Sequence, residues 1–475
     1  MLEKDCLIVG SGPNGLAAAI MLARAGFKVT VHEGAATPGG GTRTAELTLP
    51  GFQHDVCAAV IPLAVASPFF SSINLKRHGL RWVQPQIPLA HPLDEGPAVF
   101  LHRDLALTAS ELGEDRKAYL RTFAHLVNDC PKLLPELLAP LHVPRHPLQL
   151  ARFGISAVQP AEWLAKARFT GNRTRALFAG LAAHSMLPLS RALSSAFSLV
   201  LGMLAHSVGW PFVSGGTQRL TEALIVELRN SGGEILTGEW VTASRLNLQA
   251  GLTLLDLSPR GLLELTGEKL PEGYRSSLET YRYGPGIYKI DWALEGPVPW
   301  ADRRCLQAGT LHLGGTMAEI STSEAQVWNG EHPASPFVIF VQPSLFDQRR
   351  APPGKHTAWA YCHVPQGSDR SMATRIESQV ERFAPGFKER ILARHTMNAA
   401  QMEAYNPNYV GGDINVGVQD LSGHFLRPAR RLDPYRTPLE GLFLCSSATP
   451  PGGGVHGMCG YHAARSALRW MGARR

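Results

Sequence analysis

Two periodicities alternate over the first 33 residues. The apolar run in "DCLIVG" reads as a buried strand, "SGPNG" as a tight turn and "LAAAIMLARAG" as a helix ended by Gly26, while "KVTVHE" gives a second strand. That order predicts a β-α-β unit. From about residue 105 to 210 the pattern turns helical and apolar. There "LGEDRKAYLRTFAHLVNDC" predicts an amphipathic helix, and the proline-rich "PKLLPELLAPLHVPRHP" predicts a hinge-like connector. Residues 161–207 predict further acid-poor helices, whose apolar Met186, Phe197, Leu199, Leu201 and Met203 read as simple core rather than as the wall of a substrate tunnel. The stretch 194–213, "SSAFSLVLGMLAHSVGWPFV", carries no charge over a membrane-spanning length, but its Ser, His, Gly and Pro content predicts a buried or membrane-dipping helix, not a span.

Further along, "SGGTQRLTEALIVELRNSGGEILTGEWV" predicts a helix capped by Thr217 with Leu220, Leu224 and Leu228 on one face, ended by Gly232 and Gly233, then a strand. The alternation in "SRLNLQAGLTLLDLSP" predicts a small sheet, and "YGPGIYKIDWAL" and "FVIFVQP" supply strands for another. At the end, "LFLCSS" reads as a buried strand, the Pro/Gly run after it as a bend, and Met458 onward as a helix packed through Ala463, Ala464 and Leu468. There is no repeat of solenoid length.

Composition narrows the class. A chain of 475 residues with 44% hydrophobic content can fill two or three cores without disulfides or structural metal. The formal charge of +7 rests on only 18% charged residues and no long basic block, so nucleic acid is not the expected partner. The densest basic stretch holds Arg152, Lys166, Arg168, Arg173 and Arg175 against Glu162, with Trp163 and Phe169 interleaved; it reads as a solvated helical face or as a contact for an anionic membrane surface. Seven cysteines without a CxxC pair point away from a disulfide framework and fit a reducing, cytoplasmic setting; the acidic start of the chain carries no cleavable signal.

The chemistry begins at the first turn. Gly10, Gly12 and Gly15 have GxGxxG spacing between a strand and a helix, and Glu33 closes the second strand where a ribose-binding acid is expected. Glycine lets a pyrophosphate approach backbone N–H groups at the helix N-terminus, where the partial positive charge favours it. Glu33 excludes NADP better than it separates NAD from FAD. A second glycine-rich bend with Gly39, Gly40 and Arg43 could reach the pyrophosphate from the other side. Asp55 reads as a helix cap or supporting group rather than a catalytic acid. In "ATPPGGGVHGMCGYHAAR", His456, Cys459 and His462 share one sector, but no carboxylate joins them, and a metal site is not expected.

Four pieces together, "DCLIVGSGPNG" with Glu33, "GGGTRT", "FVSGGTQRLTEAL" and "GLFLCSSATPPGGGVHGMCGYHAA", resemble the FAD-dependent phytoene desaturase-related family. That family includes carotenoid desaturases, carotene isomerases and retinol saturase, and shares its architecture with the flavin amine oxidases. The resemblance spans nearly the whole chain and is weakest at 105–205 and 290–400. It implies an α/β fold with a Rossmann-like FAD domain in three parts, 1–115, 210–285 and 425–475, a helical substrate or membrane-facing part at 116–209 and a substrate-domain sheet at 286–424. FAD would rest on Gly10, Gly12, Pro13, Asn14 and Gly15 through its pyrophosphate and on Glu33 and Gly34 through its ribose. Gly39, Gly40, Gly41, Arg43 and Thr44 would meet phosphates or flavin, and Val241 the adenine. Ser446 and Ser447 stand where many relatives have Gly-Asp, and Gly454, Val455, His456 and Met458 would follow the flavin, with His456 as a candidate proton donor or acceptor. Two departures stand out: Gly41 replaces the Arg of the family's GGR, and "NPNYVGGDINVG" with Asp413 resembles a less characterised subgroup.

The resemblance implies hydride transfer between flavin N5 and a carbon–carbon bond of a long apolar isoprenoid or polyene, with a quinone, oxygen or another carrier recycling the flavin. Reduced-flavin cis–trans isomerisation, amine oxidation and non-catalytic flavin binding are the alternatives.

Overall fold

A computed structural model describes residues 5–244, 246 and 251–473. Two sheets organise the chain. The first is parallel and five-stranded, with spatial order Leu442–Leu444, Leu252–Leu255, Asp5–Val9, Lys28–Glu33 and Glu234–Thr237. The expected β-α-β unit is present, with Pro13–Arg24 as its helix. Its neighbours are the helices Gln218–Asn230 and Met458–Gly472, so all three parts expected of the dinucleotide domain meet on one sheet. The alternation over 244–259, which predicts a small separate sheet, instead supplies a strand of the first sheet. Residues 245 and 247–250 lie outside the described residues, and Leu252–Leu255 is no hairpin arm but a wholly buried parallel strand. A run of four apolar residues fits burial on both faces as well as alternation does.

The second sheet has seven strands in the order Ile391–Met397, Gly286–Leu294, His356–Val364, Val338–Val341, Ala308–Leu313, Ile87–His91 and Val99–Leu101. Its last two strands come from a stretch expected to belong with the first dinucleotide part. One face is apolar, with Leu311, Phe340, Ala360 and Ile290 in one row, sealed by Ile376, Val380 and Phe383 of the helix Ala373–Phe383. The other face carries Thr310, Val341, Trp359 and Asp291 in one row and His312, Ile339, Tyr361 and Lys289 in the next. Alternation along each strand therefore sends polar groups into the interior of the molecule.

The helical part lies over that polar face. The helix Arg116–Leu137 runs through Pro131 and Pro135, where a connector was expected. Both prolines sit on its exposed side, where carbonyls left without a partner can be hydrated, while Cys130, Leu133 and Leu134 hold the inner side. Ser194–Ser207 is a 14-residue helix with Leu199, Met203 and Leu204 buried. Among the described residues no helix is long and apolar enough to cross a membrane.

Asp55 joins the layers. One carboxylate oxygen accepts from Thr44 Oγ1 at 2.7 Å and from the Thr217 N–H and hydroxyl at 2.8 and 3.0 Å; the other accepts from Arg350 at 2.9 Å, both side chains being fully buried. Thr217 does precede the helix Gln218–Asn230, but its hydroxyl bonds to Asp55 and the Ala58 carbonyl instead of capping that helix. Asp55 is thus a supporting group, as the sequence implied, joining the first dinucleotide part to Arg350.

Candidate functional site

A long crevice runs from the glycine turn, between the two sheets, to the polar face of the seven-stranded sheet. Gly10, Gly12, Pro13, Asn14, Glu33, Gly34, Gly40, Gly41, Arg43, Val241, Ser446, Ser447, Gly454 and Val455 line it together, from three distant parts of the chain. Gly15, Gly39, Thr44, His456 and Met458 do not appear on its walls.

The glycines are there because backbones meet. A Cβ on Gly15 would stand 2.2 Å from the Gly10 carbonyl oxygen, and one on Gly40 would stand 3.2 Å from Gly12 Cα, so the second bend packs directly on the first turn. The same reasoning explains the missing Arg of the GGR pattern. A Cβ on Gly41 would lie 2.4 Å from the Tyr409 hydroxyl, which fills that space.

Glu33 is already engaged by the protein. One oxygen accepts from Ser11 N and Oγ at 3.0 and 2.5 Å; the other accepts from Ala35 N at 2.9 Å and Arg43 at 3.2 Å. Arg43 also donates to the Thr37 carbonyl at 2.9 Å and lies over the Tyr405 ring at 5.3 Å. The pair thus ties the second bend to the end of the second strand. The Arg43 guanidinium also offsets the Glu33 charge that was expected to repel a 2′-phosphate.

A carboxylate that the sequence did not single out stands at the helix entrance. Asp256 follows the strand Leu252–Leu255, and its carboxylate accepts from Gly15 N at 3.0 Å and from Gly12 N. Burial, with a further push from the Glu33 charge, raises it to about 7, against the pull of the two N–H groups. The signal was an acid ending the apolar run "LTLLDLSP". Trp240 was also missed; it lies against Gly34, where a Cβ would come within 2.6 Å of the indole, and it lines the crevice beside Val241.

The C-terminal bend corrects several expectations. His456 is fully buried, its Nδ1 accepts from Met458 N at 3.0 Å, and burial lowers its pKa to about 4. It works inside the bend, not at the crevice, which removes the basis for a proton-transfer role. Cys459 donates to the Thr449 and Gly452 carbonyls at 3.4 Å, and His462 bonds to the Leu138 carbonyl at 3.0 Å. Ser446 Oγ donates to the Leu257 carbonyl at 2.6 Å, tying neighbouring strand ends. Thr44 is committed to Asp55, as above. Asp413 accepts from Gly284, Asn415 and Gly417 N–H groups at 2.7, 2.9 and 2.7 Å, holding a turn in which Val416 on the crevice wall has φ 54°. A β-branched residue there is strained, and the buried carboxylate over-determines the turn that holds it.

Beyond Cys57 and Val60 the walls become His184, Leu201, Trp210, Thr310, Ile339, Val341, Trp359 and Tyr361. The acids that line the crevice, Glu33, Glu239, Asp256 and Glu264, belong to the dinucleotide end. Among the described residues none lines this inner chamber. Just behind it a buried ion pair joins Lys289 to Asp291 at 2.5 Å, and Trp359 covers the Lys289 ammonium at 5.3 Å. Burial works to raise the Asp291 pKa, but Lys289 and the neighbouring His395 and His54 outweigh it and hold it below the usual carboxylate range.

Residues 8–71 match the family described as an NAD(P)-binding Rossmann-like domain. Across nearly the full length, the chain is 26% identical to pyridine nucleotide-disulfide oxidoreductase domain-containing protein 2 of Mus musculus, with 98% of this chain and 94% of the relative covered. It is 22% identical to one of the subunits of limonene dehydrogenase from Castellaniella defragrans, covering 99% and 95%. Among solved structures, putrescine oxidase bound to putrescine superposes with a TM-score of 0.62 at 17% identity, covering 98% and 99%. The fold class is therefore mixed α/β with a Rossmann-like dinucleotide-binding part, as in the flavin amine oxidases.

The Asp256 geometry makes a pH-dependent prediction. Because its folded pKa is raised above the unfolded value, the fold loses stability as pH rises toward about 7 and levels off beyond it. Asp256→Asn, which keeps an acceptor for Gly12 and Gly15, is expected to gain thermal stability over the parent between pH 5 and 8 by a margin that grows with pH. A margin independent of pH would contradict this placement of the carboxylate.

Proposed function

We propose that the protein is an FAD-dependent oxidoreductase acting on a carbon–carbon bond of a neutral, apolar isoprenoid or polyene. The observation that carries this reading is the continuity of the crevice: a dinucleotide cradle at one end opens into a chamber, free of carboxylates among the described residues, walled by Leu201, Ile339, Val341, Trp210 and Trp359 at the other. A cationic amine would enter that chamber without a counter-charge on its walls. The full-length similarity to a protein named for limonene supports the isoprenoid class.

The residues present fit FAD. The three-glycine turn and the second bend leave backbone exposed on both sides of the helix entrance, and Asn14 Oδ1 there is buried without a partner among the described residues. The N-terminus of Pro13–Arg24 would hold the pyrophosphate. Trp240 and Val241 would flank the adenine, and Glu33 would reach the ribose by sharing an oxygen it now gives to Ser11 or Arg43. When bound, FAD supplies a two-electron acceptor or donor for hydride transfer. The chain's own work is to orient the apolar substrate against the sheet, to exclude water with Trp210, Trp359 and Val341, and to keep charge behind the wall in the Lys289–Asp291 pair. A quinone, oxygen or another carrier would return the electrons.

The acid-poor helical part supports a peripheral contact with an anionic membrane. Leu141, Val143, Leu148, Ile155 and Trp163 are 70, 90, 80, 69 and 68% exposed within one short stretch, and the exposed cations Arg145, Arg152 and Lys166 stand among them. Leu148, Arg152 and Ile155, spaced by four and three residues, share the exposed face of the helix Pro147–Ala157, and such apolar side chains beside a cation complement acyl chains under anionic headgroups. Ile155→Asp combined with Leu148→Asp is expected to abolish co-sedimentation with phosphatidylglycerol vesicles while leaving the fold intact; equal sedimentation of parent and variant would contradict the contact.

Anaerobic mixing of the FAD-loaded protein with a polyene or monoterpene is expected to bleach the visible flavin band, whereas putrescine leaves it unchanged. Bleaching by putrescine and by no isoprenoid would overturn the substrate class.

A further inference from the structure

Three histidines meet at the wall of the inner chamber, with His91 and His312 buried behind it and His184, partly buried, on it. His91 and His312 stand on adjacent strands of the seven-stranded sheet, and His184 ends the helix Asn172–Ala183 on the opposite wall. His184 Nε2 and His312 Nε2 are 2.8 Å apart, and His91 Nε2 lies 2.7 Å from the Gly315 carbonyl oxygen. Burial lowers His184 to about 3 and His91 to about 4 and pushes His312 well below the usual imidazole range, so all three rings are neutral near pH 7.

Neutral rings carry one proton each, and the surroundings decide where it sits. A carbonyl only accepts, so His91 holds its proton on Nε2 and presents a bare Nδ1. That Nδ1 and the Nδ1 of His312 both face the backbone of Gly180, where a Cβ would stand 3.1 and 2.6 Å from them. Neither has a hydrogen-bond partner among the described residues. A buried N–H aimed at Gly180 would be an orphaned donor, a rarer and costlier state than an orphaned lone pair. His312 therefore keeps its proton on Nε2 and donates it to His184 Nε2.

With Nε2 accepting, His184 carries its own proton on Nδ1, and among the described residues nothing accepts it. His184 lines the chamber and is only partly buried, so that N–H is available to an occupant. Two other wall groups without partners, the Thr310 hydroxyl and the Trp359 indole nitrogen, are sealed even from water.

We propose that His184 Nδ1–H is the recognition donor of the chamber, and that the substrate is an apolar molecule bearing one uncharged oxygen acceptor, a ketone, aldehyde or alcohol. This rests on the reading of the crevice as an isoprenoid oxidoreductase site and narrows it. An ammonium group has no lone pair to offer this donor. His312 acts as a positioning residue that fixes the His184 tautomer.

Carvone and limonene share one carbon skeleton and differ by a ketone, which makes them suitable probes. In the FAD-loaded protein, their binding is followed by quenching of tryptophan fluorescence, since Trp210 and Trp359 line the chamber. The carvone-to-limonene affinity ratio is expected to fall about fivefold or more in His184→Phe, and to survive in His184→Gln, whose amide can donate. Comparing ratios cancels the difference in how water solvates the two probes. The infrared carbonyl band of bound carvone is expected at lower frequency in the parent and in His184→Gln than in His184→Phe. An unchanged ratio and an unshifted band in His184→Phe would overturn the proposal. A protein that binds both probes yet retains no flavin would overturn the oxidoreductase reading and leave the His184 measurement valid.

Discussion

Everything in this molecule is arranged around one close approach, that of three backbones at the N-terminus of the first helix. A Cβ on Gly15 would stand 2.2 Å from the Gly10 carbonyl oxygen, and one on Gly460, in the C-terminal helix, would stand 1.8 Å from the Asn14 carbonyl oxygen, distances at which no side chain can exist. Residues more than 400 positions apart are thereby pressed on the same six-residue turn. The approach concentrates N–H groups and helix dipole at one point, and Asp256 answers with a carboxylate from a third segment. A phosphate-bearing cofactor would meet a site whose positive end is partly satisfied by the protein itself, which couples its binding to the protonation of Asp256.

The second constraint is the two-faced sheet. Strands such as "GIYKIDWAL" and "TAWAYCHV" put Ile290, Trp292, Ala358 and Ala360 into a dry core and Lys289, Asp291, Trp359 and Tyr361 toward the crevice. Lys289 and Asp291 are paired behind the aromatic wall, and burial holds His184 and His312 neutral. The chamber can therefore be apolar to its occupant while the layer behind it is polar, and its specificity rests on neutral donors and shape.

Much of this was legible in the chain. The β-α-β unit, the glycine turn and Glu33 follow from periodicity and from the positions only glycine can fill, whereas the return of the C-terminal segment to the first sheet was implied by the family resemblance. What was not legible depends on long-range pairing. Asp256 ends a strand whose partners are set by residues far away, Arg350 finds Asp55 across 295 positions, and His184 meets His312 across 128. His456 misled because its setting, a histidine amid glycines, looks the same whether the ring faces a cofactor or accepts from the next helix's first N–H. Pro131 and Pro135 misled because a proline inside a helix is tolerated when its side of the helix is wet, and sequence does not reveal which side is wet.

The central claim is that the crevice is a flavin site. Denaturing the purified protein and identifying the released cofactor by mass tests it most directly. FAD is expected at close to one per chain, in the apoprotein after reconstitution if not as isolated. Release of a nicotinamide dinucleotide instead, or a protein that neither contains nor acquires flavin, would contradict it.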